Sequence, residues 1–366
     1  MKKIKTMAFL VEPSSYTLDL VEHVYRPMKI DYLFLNDAPL IAHADKRSES
    51  QALAGMSWLQ KLFLLMKVRE NYDLIIFNGY NYPEFILLFV ANLLLPKKNI
   101  IAIESDTQAK EDNGLKGVVK RIFLETVFKN SRILGFAGGG FTHKELFRKY
   151  GMKEERIFLM PLMVNNERFM KKSRNDCAHE STFTFLYVGR IIPHKNVEML
   201  IQSFLNAFGN RKDVRLRLVG KGESMESLER MYGKYPNILF EGAKFGDDLV
   251  KAYHTSHALV IPSLYEPWGL VVNEALSAGL PVVASNRVGA IHDLVEGKDT
   301  GFVFDPEDRD ELSVLLRKIH EDKVLYRQLS SNAVDLMKNH WNYDLYRKNL
   351  EQAIKYAEKL LRIEQR

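Results

Sequence analysis

Gly189, Arg190, Lys195 and Asn196 follow directly on the apolar run Phe183 to Val188. A glycine at a strand end lets the chain turn sharply, and Arg190 and Lys195 on the loop beyond it can converge on one anion. Either residue alone reads as surface charge; two cations at one strand-loop-helix junction suit a diphosphate. A second junction lies further on, where Ala258 to Ile261 runs through Pro262, Ser263, Glu266, Pro267, Trp268, Gly269 and Leu270 into a helix over Val271 to Ser277. The first amides of a helix have no intrahelical partner and carry partial positive charge, so Gly269 and Leu270 make a second place for phosphate. Glu274 sits one turn inside that helix and Glu266 in the loop before it, which lets two carboxylates reach opposite parts of one ligand. Such acidic spacing is common by chance, and the surrounding strand-loop-helix context gives it weight. Asp106, past the run Asn99 to Ile103, occupies the edge where ligands of open α/β sheets bind; there it can orient a hydroxyl or cap a helix.

The elements that must position these residues alternate. Expected strands in the first half are Thr6 to Val11, Asp31 to Leu35, Asp73 to Phe77, Asn99 to Ile103, Ile133 to Ala137 and Ile157 to Met160, with helical spacing over Ser57 to Val68, Glu84 to Leu95 and Gly117 to Phe128. A polar stretch, Lys171 to Ser181, reads as a linker. A second series follows over Phe183 to Val188, Val214 to Val219, Ile238 to Glu241, Ala258 to Ile261 and Pro281 to Ala284, then a long final helix, Tyr343 to Ile363, able to dock back across the domain boundary. The βαβ alternation predicts an α/β fold of two parallel sheets covered by helices. The expected domains are 1–165 with 343–366, and 166–342.

The chain has 366 residues, enough for two domains, and its 46% apolar and 27% charged residues are those of a globular protein. The longest apolar run, Phe85 to Leu95, is too short to span a bilayer and reads as a buried helix. Met1, Lys2 and Lys3 begin the chain as in a signal peptide, but Met7 to Val11 is too short for its apolar region. The expected location is the cytoplasm, with peripheral attachment to the inner face of a membrane as an open alternative. Cys177 as the single cysteine excludes a disulfide within the chain and any multi-cysteine metal site. Lys and Arg outnumber Asp and Glu by 23 to 18 in residues 1–165 and by 29 to 28 in 166–366, which places the basic excess of +6 mainly in the first half. It suits a solvated face, an acidic partner or an anionic membrane surface. The stripe Trp58, Leu59, Leu62, Phe63 and Met66 with Lys61 and Lys67 reads equally as core packing or as membrane contact.

Residues 183–305 resemble the donor domain of the family 4 retaining glycosyltransferases. The resemblance is carried by Gly189-Arg190 with Lys195-Asn196, by Gly220 to Glu223, by Glu266-Pro267-Trp268-Gly269-Leu270 with Glu274, by Ala278 to Val283, and by Thr300 to Val303. It implies the GT-B fold, two Rossmann-like domains with an interdomain cleft. It also implies roles: Glu266 on the transferred sugar, Glu274 on the ribose, Arg190 and Lys195 on the diphosphate, Gly189 at the turn, and Gly222, Lys244 and Phe245 around the base. The partners implied are a nucleotide-diphosphate-sugar donor and a glycan or lipid-linked acceptor, as in surface glycan, lipopolysaccharide or glycolipid assembly. The first half is similar less closely, and it departs in lacking a Gly-Gly loop after the first strand, where Val11 to Ser15 stand; Gly138, Gly139 and Gly140 can substitute or form a plain turn. The other departure is Val288 to Asp293 in place of a Gly-Gly-x-Pro-Glu loop.

No metal is expected: Asp308 and Asp310 have the DxD form of metal-dependent enzymes but sit at a helix start, where acidic residues complement the dipole. Among competing readings, an epimerase or hydrolase of the same fold would not call for the Glu-x7-Glu pair. A nucleic-acid module would interleave its basic residues with aromatics. A nicotinamide enzyme would need Gly-x-Gly-x-x-Gly after the first strand.

Overall fold

The computed structural model describes residues 4–37, 52–109, 113–170 and 182–363; Cys177 and the expected linker lie outside the described residues. The chain divides into unit 1, Met1–Leu162 with Tyr343–Arg366, and unit 2, Met163–Asn342.

Unit 1 holds β1 (Thr6–Leu10), β2 (Asp31–Phe34), β3 (Leu74–Asn78), β4 (Ile100–Ser105), β5 (Ile133–Ala137) and β6 (Ile157–Leu159). They form one sheet in the order β2-β1-β3-β4-β5-β6, every pairing parallel. β1, β4 and β5 are buried along their whole length, as parallel strands covered on both faces must be, and this explains their mostly apolar sequence, broken by Thr6 in β1 and by Glu104 and Ser105 at the end of β4. The helices of eight residues or more are α1 (Trp58–Asn71), α2 (Pro83–Leu94), α3 (Gly114–Lys129), α4 (Thr142–Lys149) and, from the C-terminal segment, Tyr343–Ile363. α1 starts at a reciprocal cap: the Ser57 hydroxyl accepts from the Gln60 amide and the Gln60 side chain accepts from the Ser57 amide. The core stacks Phe9 on Phe77 with ring centroids 4.6 Å apart.

Unit 2 holds β7 (Phe183–Val188), β8 (Val214–Val219), β9 (Ile238–Gly242), β10 (Ala258–Ile261), β11 (Val282–Ser285) and β12 (Gly301–Phe304). Their order is β12-β11-β10-β7-β8-β9, again all parallel. Its helices of that length are α5 (Val197–Phe208), α6 (Met225–Tyr232), α7 (Gly246–His254), α8 (Leu270–Ser277), α9 (Arg309–Glu321) and α10 (Lys323–Asp335), so that Tyr343–Ile363 is α11.

Two expectations need correction. The segment Thr300 to Val303 contributes an edge strand, β12, that was read only as a motif; it is four residues long and opens on a glycine, so its apolar content is too small to stand out. The run Phe85 to Leu95 is helical but not buried. Phe85, Leu88 and Phe89 face the core, whereas Ile86, Val90, Leu93 and Leu94 are exposed, because the apolar residues of α2 surround the helix and only one side meets the sheet.

Strand order reverses between β1 and β3 in unit 1 and between β7 and β10 in unit 2. The loops after those strands flank the crevice where open parallel sheets bind ligands.

Candidate active site

In unit 2 the loop after β7 is held by backbone. Gly189 N–H donates to the Val219 carbonyl at 3.0 Å, Ile191 N–H to the Lys221 carbonyl at 2.9 Å, and Ser224 N–H to the Ile191 carbonyl at 3.1 Å. The two loops approach so closely that a Cβ on Gly220 would lie 1.7 Å from the Gly189 carbonyl oxygen, and one on Gly222 would lie 2.2 Å from that of Ile191. Gly222 is therefore explained by backbone approach, and it shapes the site through the Arg190 loop. Gly220→Ala should cost more than about 2 kcal/mol of stability, because backbone cannot yield as a side chain can; urea unfolding measures it, and a cost near zero would show that the loops are free to part.

Within this frame Tyr187 donates from its hydroxyl to the Arg190 carbonyl at 2.7 Å, and the Arg190 side chain is exposed. Burial pushes the Tyr187 phenol far up; the negative charge of Glu266 pushes the same way and the positive charge of Arg190 opposes it. Lys195, the last residue of a 3₁₀ turn over Pro193–Lys195, is buried, and its ammonium is ion-paired with the Glu266 carboxylate. The loop after β10 is tied to the same place: Leu264 N–H donates to the His194 carbonyl at 2.9 Å. The residues expected at the diphosphate and at the sugar are thus neighbours, in direct contact.

The Glu266 backbone bridges in parallel fashion to Val288, with Gly289 N–H donating to the Glu266 carbonyl at 3.0 Å. The loop that begins at Val288 thereby buttresses Glu266. Gly269 precedes α8 with φ of 96°, a left-handed conformation that suits glycine, and the helix starts at Leu270. Trp268 is buried, donates from Nε1 to Asn273 Oδ1 at 2.9 Å and stacks on Trp341, which fixes the entry into α8.

Glu274 accepts from the Tyr253 hydroxyl at 2.5 Å. Burial pushes its carboxyl up to about 7, against the opposing effects of that hydrogen bond and of the Arg168 charge. Tyr253, on α7, and Arg168 escaped sequence reasoning: neither lies in a recognisable motif, and only the fold brings them to Glu274. Lys244 is ion-paired with Glu241 at 3.2 Å, while the Phe245 ring is exposed at the start of α7. Asp308 and Asp310 have protein partners. Asp308 caps α9 by accepting from the Glu311 amide at 2.8 Å, and Asp310 accepts from Asn206 at 3.0 Å.

In unit 1, Asp106 is exposed just past β4, where its charge acts on Tyr16 and on Glu104. Gly138 to Gly140 form the bend between β5 and α4. Behind Asp106 lies a buried network that spacing gave no hint of. Glu104 accepts from the Tyr346 hydroxyl at 3.2 Å and from the Asn78 amide, and Tyr346 lies 3.4 Å from the Tyr25 hydroxyl. Burial pushes the Glu104 carboxyl up to about 7. Its folded value lies above the ordinary 4.5, so native Glu104 holds its proton where the unfolded chain has lost it. Stability from this group is present below about 4.5 and is lost as pH rises to about 7. Glu104→Gln should remove that loss, up to about 3 kcal/mol by pH 8. Denaturation of both forms at pH 5 and 8 checks it, and parallel pH profiles would contradict it.

Comparison with known proteins bears on this arrangement. Residues 169–335 match the family model described as glycosyl transferases group 1. Most of unit 2 is thus similar to a group 1 glycosyl transferase domain. The sulfoquinovosyl transferase SQD2 of Arabidopsis thaliana is 38% identical over 142 residues, covering 38% of this chain and 26% of that protein. The mannosylfructose-phosphate synthase of Agrobacterium fabrum is 27% identical over 204 residues, covering 50% of this chain and 44% of that protein. The chain therefore spans less than half the length of these two relatives. Solved structures resemble the fold of the whole chain. Anabaena Alr3699/HepE in complex with UDP has a TM-score of 0.76 at 17% identity, covering 96% of this chain and 100% of that one. WaaG, a glycosyltransferase involved in lipopolysaccharide biosynthesis, has a TM-score of 0.65 at 17% identity, covering 96% and 99%. The α/β architecture of two parallel six-stranded sheets is thus that of the GT-B structures.

Proposed function

We propose that this protein is a retaining glycosyltransferase that moves a sugar from a nucleotide-diphosphate donor to a hydroxyl of a glycan or lipid-linked acceptor, without a divalent metal. The observation that carries the reading is the meeting of Lys195 and Glu266 beside Arg190 within a group 1 domain. The diphosphate takes the place of Glu266 as the anion on Lys195, with Arg190 and the first amides of α8 completing the clamp. Glu266, released from the ammonium, turns to the sugar hydroxyls, and Glu274 receives the ribose. Asp106 orients the acceptor. The acceptor oxygen bonds to the anomeric carbon as the bond to the diphosphate oxygen breaks, and the acceptor proton passes to that departing oxygen. Charge on the leaving group is held by side chains and helix amides, and Asp308 and Asp310 serve α9. The acceptor is placed at an anionic membrane surface, in keeping with the basic excess of unit 1.

Incubation with a panel of nucleotide-sugars, with release of nucleoside diphosphate as the readout, tests the reaction. Release from one donor, stimulated by a glycan or glycolipid acceptor, is expected. Exchange of the sugar's configuration with no nucleotide release would favour an epimerase instead.

A further inference from the structure

α1, α2 and α3 cover one face of the unit 1 sheet: Leu65, Val68, Phe85, Leu88, Leu124 and Val127 all join Phe77, Ile101 and Ile103 in a single core. The opposite sides of the same helices are also apolar. α1 exposes Trp58, Leu59 and Phe63, α2 exposes Val90, Leu93 and Leu94, and α3 exposes Leu115, Val119 and Ile122, with Phe63 at 75%, Leu94 at 77% and Leu115 at 87%. Single exposed leucines are ordinary, whereas several large apolar side chains exposed on each of three helices that cover one sheet face mark an interaction surface.

Charge identifies the partner. Lys116, Lys120 and Arg121 are interleaved with the apolar residues of α3, and Lys97 and Lys98 follow α2. The acidic residues on these helices are Glu70, Glu84 and Glu125. Glu84 is paired with Lys61, and Glu125 with Arg121 and Lys129. An apolar ridge fringed by lysines fits an anionic bilayer, acyl chains below and phosphates at the rim. A second copy fits less well, because a two-fold interface through this face would gather Lys116, Lys120 and Arg121 of both copies into one patch of like charge. Among the described residues no helix is long and apolar enough to cross a membrane, and α2, of 12 residues, spans only about 18 Å.

We infer that α1, α2 and α3 form a monotopic insertion surface, seated in the acyl region of an anionic leaflet and held there by apolar burial more than by charge. This deepens the membrane placement proposed above and is independent of the transfer chemistry.

The test uses Trp58 as reporter. Trp58 is exposed while Trp268 and Trp341 are buried in unit 2, so a change in tryptophan emission on mixing the full chain with vesicles of phosphatidylcholine and phosphatidylglycerol reads this face. The expected result is a blue shift with protection from an aqueous quencher, and binding that persists at about 1 M salt, where the Debye length is about 3 Å. Phe63→Ser with Leu94→Ser and Leu115→Ser should weaken binding at least a hundredfold with an unchanged thermal midpoint, since all three side chains lie outside the core. Lys116→Gln or Lys120→Gln should each weaken it about fivefold at low salt only. Full release by salt with Trp58 still in water would overturn insertion and leave surface attachment standing. Binding to no vesicle, or a vesicle-free dimer that shields Trp58, would overturn the membrane altogether.

Discussion

Lys195→Ala is expected to lower kcat by about a hundredfold to a thousandfold, the range for removing one preorganised group from a developing negative charge. Arg190→Ala should fall in the same range, and because its side chain is exposed it should do so with no change in thermal midpoint. Lys195→Ala has a second consequence. Glu266 loses its ion-pair partner, so a modest fall in stability should accompany the kinetic defect. Both effects are separable by measuring kcat at saturating donor together with denaturation. Asp308→Ala with Asp310→Ala supplies the contrast: it should cost about 1 kcal/mol through the lost cap on α9 and leave kcat nearly unchanged. Near-normal turnover in both cation variants, or loss of turnover in the aspartate pair, would remove the clamp from the account.

The two glutamates should separate in the opposite sense. Glu274 is expected to act on the ribose, which is equally bound before and during transfer, so Glu274→Gln should raise the donor KM and spare kcat. Glu266 is expected to act where the sugar gains positive charge, and Glu266→Gln should reduce kcat by at least about a hundredfold with a smaller change in KM. The pH dependence adds a check. With its carboxyl pushed up to about 7 in the free protein, Glu274 is largely protonated at pH 6, and ionisation makes it the better acceptor for ribose hydroxyls. Donor affinity should therefore rise between pH 6 and 8 in the wild type and stay flat in Glu274→Gln. A flat wild-type profile would detach Glu274 from the donor.

Most strands were legible because parallel strands buried on both faces are short apolar runs, while Val214–Val219 alternates apolar residues with the half-buried Arg215 and Arg217. Ile133–Ala137, Phe183–Val188, Val214–Val219 and Ala258–Ile261 form over the residues expected, and Tyr343–Ile363 is helical over its expected length. Local patterns also placed Arg190, Lys195, Glu266 and Glu274 at the ends of strands and starts of helices. Contacts between distant residues stayed hidden. Lys195 and Glu266 are 71 positions apart, and Tyr346 reaches Glu104 across 242 positions; nothing in either neighbourhood names the other. The close approach of Gly222 to the Ile191 carbonyl also stayed hidden, because the sequence around a glycine does not name the loop it meets. The ridge on α2 escaped because hydropathy counts apolar residues without saying which way they face.

Proton NMR of the glycoside formed from a donor of known anomeric configuration tests the account most directly. A double displacement would need a carboxylate beneath the anomeric carbon, and the account engages Glu266 with the sugar hydroxyls and Glu274 with the ribose. The departing diphosphate, held by Arg190 and Lys195, is left as the base for front-face attack. A product with the donor's configuration and no trapped glycosyl-enzyme is expected; an inverted linkage would contradict front-face attack.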